Sequence, residues 1–103
     1  MLREVILISE ARDDLRLGRD FYDSLDLGVG EYFLSSLKSE VESLKLHAGI
    51  HPIIFGYYRL LAKRFPFGVY YENMENLVRI VAILDLRQDP DTIRASLSDR
   101  SSR

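Results

Sequence analysis

The stretch Lys63-Arg64-Phe65-Pro66-Phe67-Gly68-Val69-Tyr70-Tyr71-Glu72, and the later run ending Leu84-Asp85-Leu86-Arg87-Gln88-Asp89-Pro90, decide how this chain folds. Pro66 cannot donate a ladder hydrogen bond, so it marks a strand start or an edge, and a strand is expected over 67–72. Upstream, the aromatic and branched residues of Tyr57-Tyr58-Arg59-Leu60-Leu61-Ala62-Lys63 predict another strand over 57–63. Asn73-Met74-Glu75-Asn76 reads as a turn, and a last strand follows over 77–85. From Val78 to Leu84 this strand carries one charge, Arg79. A strand covered on both faces loses its apolar–polar alternation, so this one is placed at the centre of the sheet.

Working outward, residues 3–8 run to β-branched Val5, Ile6 and Ile8, a short strand. Ser9 stands where a helix N-cap belongs, and Ala11, Leu15, Gly18, Phe21 or Tyr22, and Leu25 keep a helical rhythm over residues 10–25. Its alternating acids and bases, Glu10 to Asp26, read as a solvated face. Leu27-Gly28-Val29-Gly30 breaks the rhythm. A second helix carries Phe33, Leu37, Val41 and Leu44 to about Ala48, with Gly49 beyond its end. Past Thr92 the chain is polar and serine-rich: Ile93 to Leu97 suit one helical turn, and residues 98–103 are expected to fray. The order β-α-α-β-β-β describes one α+β domain over 1–92, a helical hairpin packed on a small, mostly antiparallel sheet, with a partly disordered tail over 93–103.

With 103 residues the chain supports one compact core. It has no cysteine, which excludes disulfides and thiolate metal sites. The apolar start is interrupted by charge, unlike a signal peptide, and no uncharged run approaches a membrane span, so a soluble cytoplasmic protein is expected. The net charge of −2 argues against general nucleic-acid affinity. Residues 9–48 hold five basic and nine acidic side chains, whereas 53–89 hold five basic and four acidic, so positive potential is expected on the second half.

Arg64-Phe65-Pro66-Phe67-x-Val69-Tyr70-Tyr71 and Ala82-Ile83-Leu84-x-x-Arg87-x-Asp89-Pro90, in this order of elements, resemble the RelE/ParE superfamily of toxins from type II toxin–antitoxin systems. Ala11-x-x-Asp14-Leu15 with Phe21-Tyr22, and Leu27-Gly28-Val29-Gly30-x-x-Phe33, resemble the family's opening helix and helix junction. The resemblance spans residues 8–90. It implies a bacterial toxin held in a hetero-oligomer by a cognate antitoxin whose tail wraps it. RelE-like members cleave messenger RNA on the ribosome; ParE-like members poison DNA gyrase.

RNA cleavage needs a general base, a general acid and cations for the charged phosphorane. The RelE-like branch resembles this with a basic set and often a late His or Tyr; here that place reads Asp85-Leu86. A carboxylate there repels phosphate, which favours the ParE-like branch. The alternative is a metal-independent endoribonuclease with Arg59, Lys63, Arg64 and Arg87 on phosphate and Asp85 or a tyrosine moving protons. A third reading is a non-toxic binding module.

Arg59, Lys63, Arg64, Arg79 and Arg87 would converge if neighbouring strands bring them to one face; alternatively Arg64 and Arg87 pair with Asp85, Asp89 or Glu72. Asp89-Pro90 reads as a strand-terminating turn. In Tyr57-Tyr58 and Tyr70-Tyr71 one ring of each pair should face outward, making Tyr58 and Tyr71, with Arg64, Arg79 and Arg87, the candidate target- or antitoxin-binding residues. His47 and His51 do not share a helix; they are expected to be exposed or capping, with no metal and no cofactor. The apolar surface awaiting the antitoxin is expected along the hairpin and at a free sheet edge.

Overall fold

The computed structural model describes residues 2–101. The elements run β1 (Glu4–Leu7), α1 (Ser9–Leu25), α2 (Val29–His47), β2 (Ile53–Ile54), β3 (Tyr57–Leu61), β4 (Phe67–Asn73), β5 (Leu77–Asp85) and α3 (Pro90–Ser101). The sheet order is β1-β5-β4-β3-β2; β1 runs parallel to β5 and every other pair is antiparallel. The expected α+β order is present, and β5 is internal as its composition predicts. No helix among the described residues is long and apolar enough to cross a membrane.

The hairpin packs closely because glycines stand at its contact. A Cβ at Gly18 would lie 2.4 Å from the Phe33 ring, and one at Gly30 would lie 2.5 Å from the Arg19 carbonyl oxygen. Phe33, Leu37 and Leu44 of α2 then meet Val69, Tyr71, Ile80 and Ile83 of the sheet. Each fully buried side chain of this size contributes roughly 1.5–3 kcal/mol. Phe65 and Phe67 join this core through aromatic edges: Tyr22–Phe65 centroids are 4.8 Å apart and Phe33–Phe67 4.9 Å. The Phe65-Pro66-Phe67 signature thus ties the β3–β4 connection to both helices.

Four local features differ from the sequence-based expectations or add to them. First, the N-cap of α1 is Ile8, in extended conformation; Ser9 is already helical and its hydroxyl bonds Glu10. Ile8 N–H extends the β1 ladder to the Ile80 carbonyl, so strand passes into helix without a capping side chain. Second, β3 ends at Leu61, because the Lys63 amide turns away to the Glu40 carboxylate. Third, residues 53–54 form a strand, joined to β3 by a two-residue turn with positive φ at both Phe55 (54°) and Gly56 (86°).

The fourth and largest correction concerns the tail. Residues 90–101 form a helix that buries Ile93 and Leu97 against Tyr57, Tyr70, Ala82 and Leu84 on the sheet's outer face. Asp89 and Pro90 open it: Asp91 N–H bonds Asp89 Oδ1 at 2.8 Å, and Pro90 takes the first helical position, where its missing N–H costs nothing. The pair read as a plain turn is a helix start. The ordered body therefore runs to residue 101, and the fraying expected of 102 and 103 lies outside the described residues.

With helices on both faces, the outward-facing role expected of Tyr71 fails. Both Tyr70 and Tyr71 are fully buried, one under α3 and one under the hairpin. Between them the register shifts, Tyr70 opposing Ala82 and Tyr71 opposing Ile80, so Val81 is the extra residue of a bulge.

Candidate functional site

At the end of β5, Asp85 and Arg87 face each other. The guanidinium donates through Nη2 to Oδ2 at 2.7 Å and through Nε to Oδ1 at 3.0 Å, and the Arg87 N–H also reaches Oδ1 at 2.9 Å. These bonds hold the Asp85 carboxyl below its ordinary range despite partial burial, while the same pair pushes the Arg87 guanidinium up. A carboxylate so stabilised is a poor proton acceptor. Arg87 also lies 3.5 Å from the Tyr22 hydroxyl and 6.0 Å from the centre of the Phe21 ring, placing it on the hairpin side.

Beside this pair is a cavity of ≈ 190 Å³ lined by Leu17, Gly18, Phe21, Phe67, Ile83 and Asp85 among others. Leu17 and Phe21, which line it, and Leu25 further along α1 stand four residues apart and are 69%, 46% and 66% exposed. Four-residue spacing puts them in one row, so the hairpin carries an apolar stripe that the chain leaves uncovered.

The other cations do not join Arg87. The Arg59 stem crosses Gly68 on the outer face, where a Cβ would sit 3.2 Å from Arg59 Cδ and 3.0 Å from Leu86. Arg59 Nε is buried and has no hydrogen-bond partner among the described residues. Arg79 is on that outer face too, held to Glu72 at 2.8 Å across the β4–β5 register. Lys63 and Arg64 occupy the exposed β3–β4 connection. Five cations that the sequence allows on one surface are thus split between two faces and a turn. Of the pairings weighed for Arg87, the one with Asp85 forms; Arg64 makes none with Asp85, Asp89 or Glu72 among the described residues.

Tyr58 is half-buried and stacked on Tyr71 at 5.3 Å. Tyr71 Oη accepts from Gly49 N–H at 2.9 Å and lies 2.5 Å from His51 Nδ1. Having accepted from Gly49, the hydroxyl has its own proton to give, so it donates to a neutral His51. Burial, then the neighbouring His47, lowers the His51 pKa, against a smaller upward pull from Glu40; burial raises that of Tyr71. His51 is therefore a structural partner rather than a free exposed side chain, while His47 is exposed on the last turn of α2. No group of three or more His, Cys, Asp or Glu among the described residues could hold a metal ion.

One charged pair escaped the sequence reading. Asp14 on α1 is buried, and its carboxylate accepts from Arg100 Nη1 at 2.6 Å, from Arg100 Nη2 at 2.9 Å and from Ile83 N–H at 2.9 Å. Arg100 Nη1 also donates to the Val81 carbonyl at 2.9 Å. β1 pairs with β5 only as far as Ile80, so beyond the bulge these two side chains serve the β5 backbone in place of a strand. Asp14 charges the otherwise small and apolar face of α1 formed by Ala11, Leu15 and Gly18. That charge within an apolar row was the available signal; its partner lay in the segment expected to fray.

No protein-family model and no curated protein matches this chain. Among solved structures it is similar to a chain of the chromosomal ParDE toxin–antitoxin (TA) system from P. aeruginosa, with a TM-score of 0.75, at 19% identity over 82% of this chain and 97% of that one. At that identity the likeness is one of fold, and the helical hairpin on a five-stranded mixed sheet is accordingly a ParE-like fold.

Proposed function

We propose that this chain is the toxin component of a type II toxin–antitoxin module, ParE-like in action: it binds a target such as DNA gyrase and is neutralised by a cognate antitoxin in the cytoplasm. The observation that carries the choice between branches is the separation of the cations. Arg87 is bound to Asp85 on the hairpin side, whereas Arg59 lies on the outer face. A phosphorane needs several donors preorganised around one centre. Asp85, doubly bonded to Arg87, is poorly suited to act as the base of an endoribonuclease.

The α1 stripe supports the partner half of the reading. Leu17, Phe21 and Leu25 offer a helical row to an amphipathic antitoxin tail, as aromatic and aliphatic anchors do at interfaces. Purified chain, free of any partner, should inhibit gyrase supercoiling, and its induced expression should arrest growth. Growth arrest with supercoiling untouched would remove gyrase as the target. Absence of any growth effect, with tight binding to a neighbour-encoded protein, would replace the toxin by a binding module on the same fold.

A further inference from the structure

β1 is an edge strand of the sheet, and the chain at its two ends is tied to different helices. Arg3 N–H bonds the Lys45 carbonyl of α2 at 3.1 Å, and Arg12 Nη1 of α1 bonds the Leu7 carbonyl at 2.9 Å. Between these ties a groove of ≈ 420 Å³ stays open, within the range of about 300–1,000 Å³ common to ligand pockets. Its floor is apolar. Val5 and Leu7 face the hairpin, and Leu15 and Val41 belong to the core.

The rim is cationic. Arg12 stands one turn before Leu15 on α1, and Lys38 and Lys45 share one face of α2 with Val41. Glu42 is the carboxylate lining the groove, and Lys45 already holds it at 2.7 Å. Lys38 has no ion-pair partner among the described residues, and Arg12 keeps the donors not used on Leu7. Residues 9–48 hold five basic and nine acidic side chains, yet the groove takes three of the five and one of the nine. Long cationic stems can cover apolar surface while their heads stay in water. Here they leave the groove open and its floor uncovered.

We propose that the groove between β1, α1 and α2 binds a small amphipathic anion of the alkyl-carboxylate class. Its chain lies on Val5, Leu7, Leu15 and Val41, and its head group meets Arg12 and Lys38. Both halves are needed: exposed cations alone hold a small anion weakly in water, and an apolar floor alone takes any apolar molecule. The groove shares no lining residue with the cavity beside Asp85, and its ligand goes beyond the toxin reading without depending on it.

The test is an amide chemical-shift titration of the labelled full chain with octanoate, against acetate and the octylammonium cation. Octanoate should perturb residues 5–7, 12–15 and 38–45 saturably. Acetate should bind at least about tenfold more weakly for want of a chain, and octylammonium at least about tenfold more weakly because its charge repels the rim. Lys38→Gln should weaken octanoate and Lys38→Glu weaken it further, while both keep the wild-type unfolding midpoint; Val5→Phe, which fills the floor, should block it. Equal binding of octanoate and octylammonium, perturbation confined to residues 17–25, or no octanoate binding overturns the proposal. So does saturation of the same residues by an octapeptide alternating glutamate and valine with octanoate silent, which would give the groove to a polypeptide. The supercoiling assay tests the toxin reading independently of these outcomes.

Discussion

Two aspartate–arginine pairs, chemically alike, do opposite work in this molecule. Asp14–Arg100 is bidentate, with Arg100 and Asp14 side chains only 14% and 7% exposed, and it also bonds two backbone groups of β5. Asp85–Arg87 is bidentate too, but its side chains are 26% and 56% exposed, the pair joins residues two apart in sequence, and its one link to another element is the 3.5 Å contact of Arg87 with the Tyr22 hydroxyl. The first links α1, β5 and α3, so its loss exposes a charge and an amide to a dry interior. The second sets the direction of one guanidinium at the protein surface, where water can replace either partner. Pair geometry alone therefore says little about role; burial and the backbone groups attached decide it.

The comparison can be broken most directly at Asp14. Asp14→Ala leaves the Arg100 guanidinium with no carboxylate and only the Val81 carbonyl, and the Ile83 amide unpaired, and should cost about 3–5 kcal/mol in urea unfolding. A loss no larger than that of an ordinary surface change would show that the clamp is not buried in solution. Arg100→Ala leaves the Asp14 carboxylate with the Ile83 N–H alone and frees the Val81 carbonyl, so a loss in the same range, about 3–5 kcal/mol, is expected. It should also raise hydrogen exchange in residues 90–101 before the rest of the chain, which distinguishes a loosened α3 from general destabilisation.

A pair without formal charge sharpens the contrast. His51 is held neutral against Tyr71, with its pKa lowered. The unfolded chain then binds more protons than the folded one between the lowered and the ordinary imidazole values. Stability from this group is present above the ordinary value and is lost as pH falls through the folded value. Unfolding midpoints measured across mildly acidic pH should show this dependence in the wild type and a flatter one in His51→Gln. The smallest effect is expected at Arg87: Arg87→Ala should leave the unfolding midpoint unchanged within scatter while raising the Asp85 pKa, followed by carboxyl chemical shifts.

The parts of the fold legible in sequence were those set by local chemistry. The run Val78–Leu84 predicted an internal strand, Pro66 a strand start, and the two-glycine break at Gly28 and Gly30 a helix junction; all three hold. What was missed depends on contacts across the chain. Asp89-Pro90 carries a helix-start signal, but the segment after it has only Ile93 and Leu97 to bury, too little for a helix until the outer sheet face is there to receive them. Alternation along β4 turns one tyrosine of the pair to each face, but with the hairpin on one face and α3 on the other neither face is outward, and Tyr71 is buried. For the site, residue types showed where cations lie along the chain. Their division between faces depends on which side of each strand a residue presents, which spacing within one strand does not determine.

The proposal of action by binding rests on these arginines not forming one phosphate-handling centre. Its most direct test is cleavage of ribosome-bound message by purified wild-type chain and by Arg87→Ala. The account predicts intact message with both proteins. Ribosome-dependent cutting by the wild type that disappears in Arg87→Ala would contradict it.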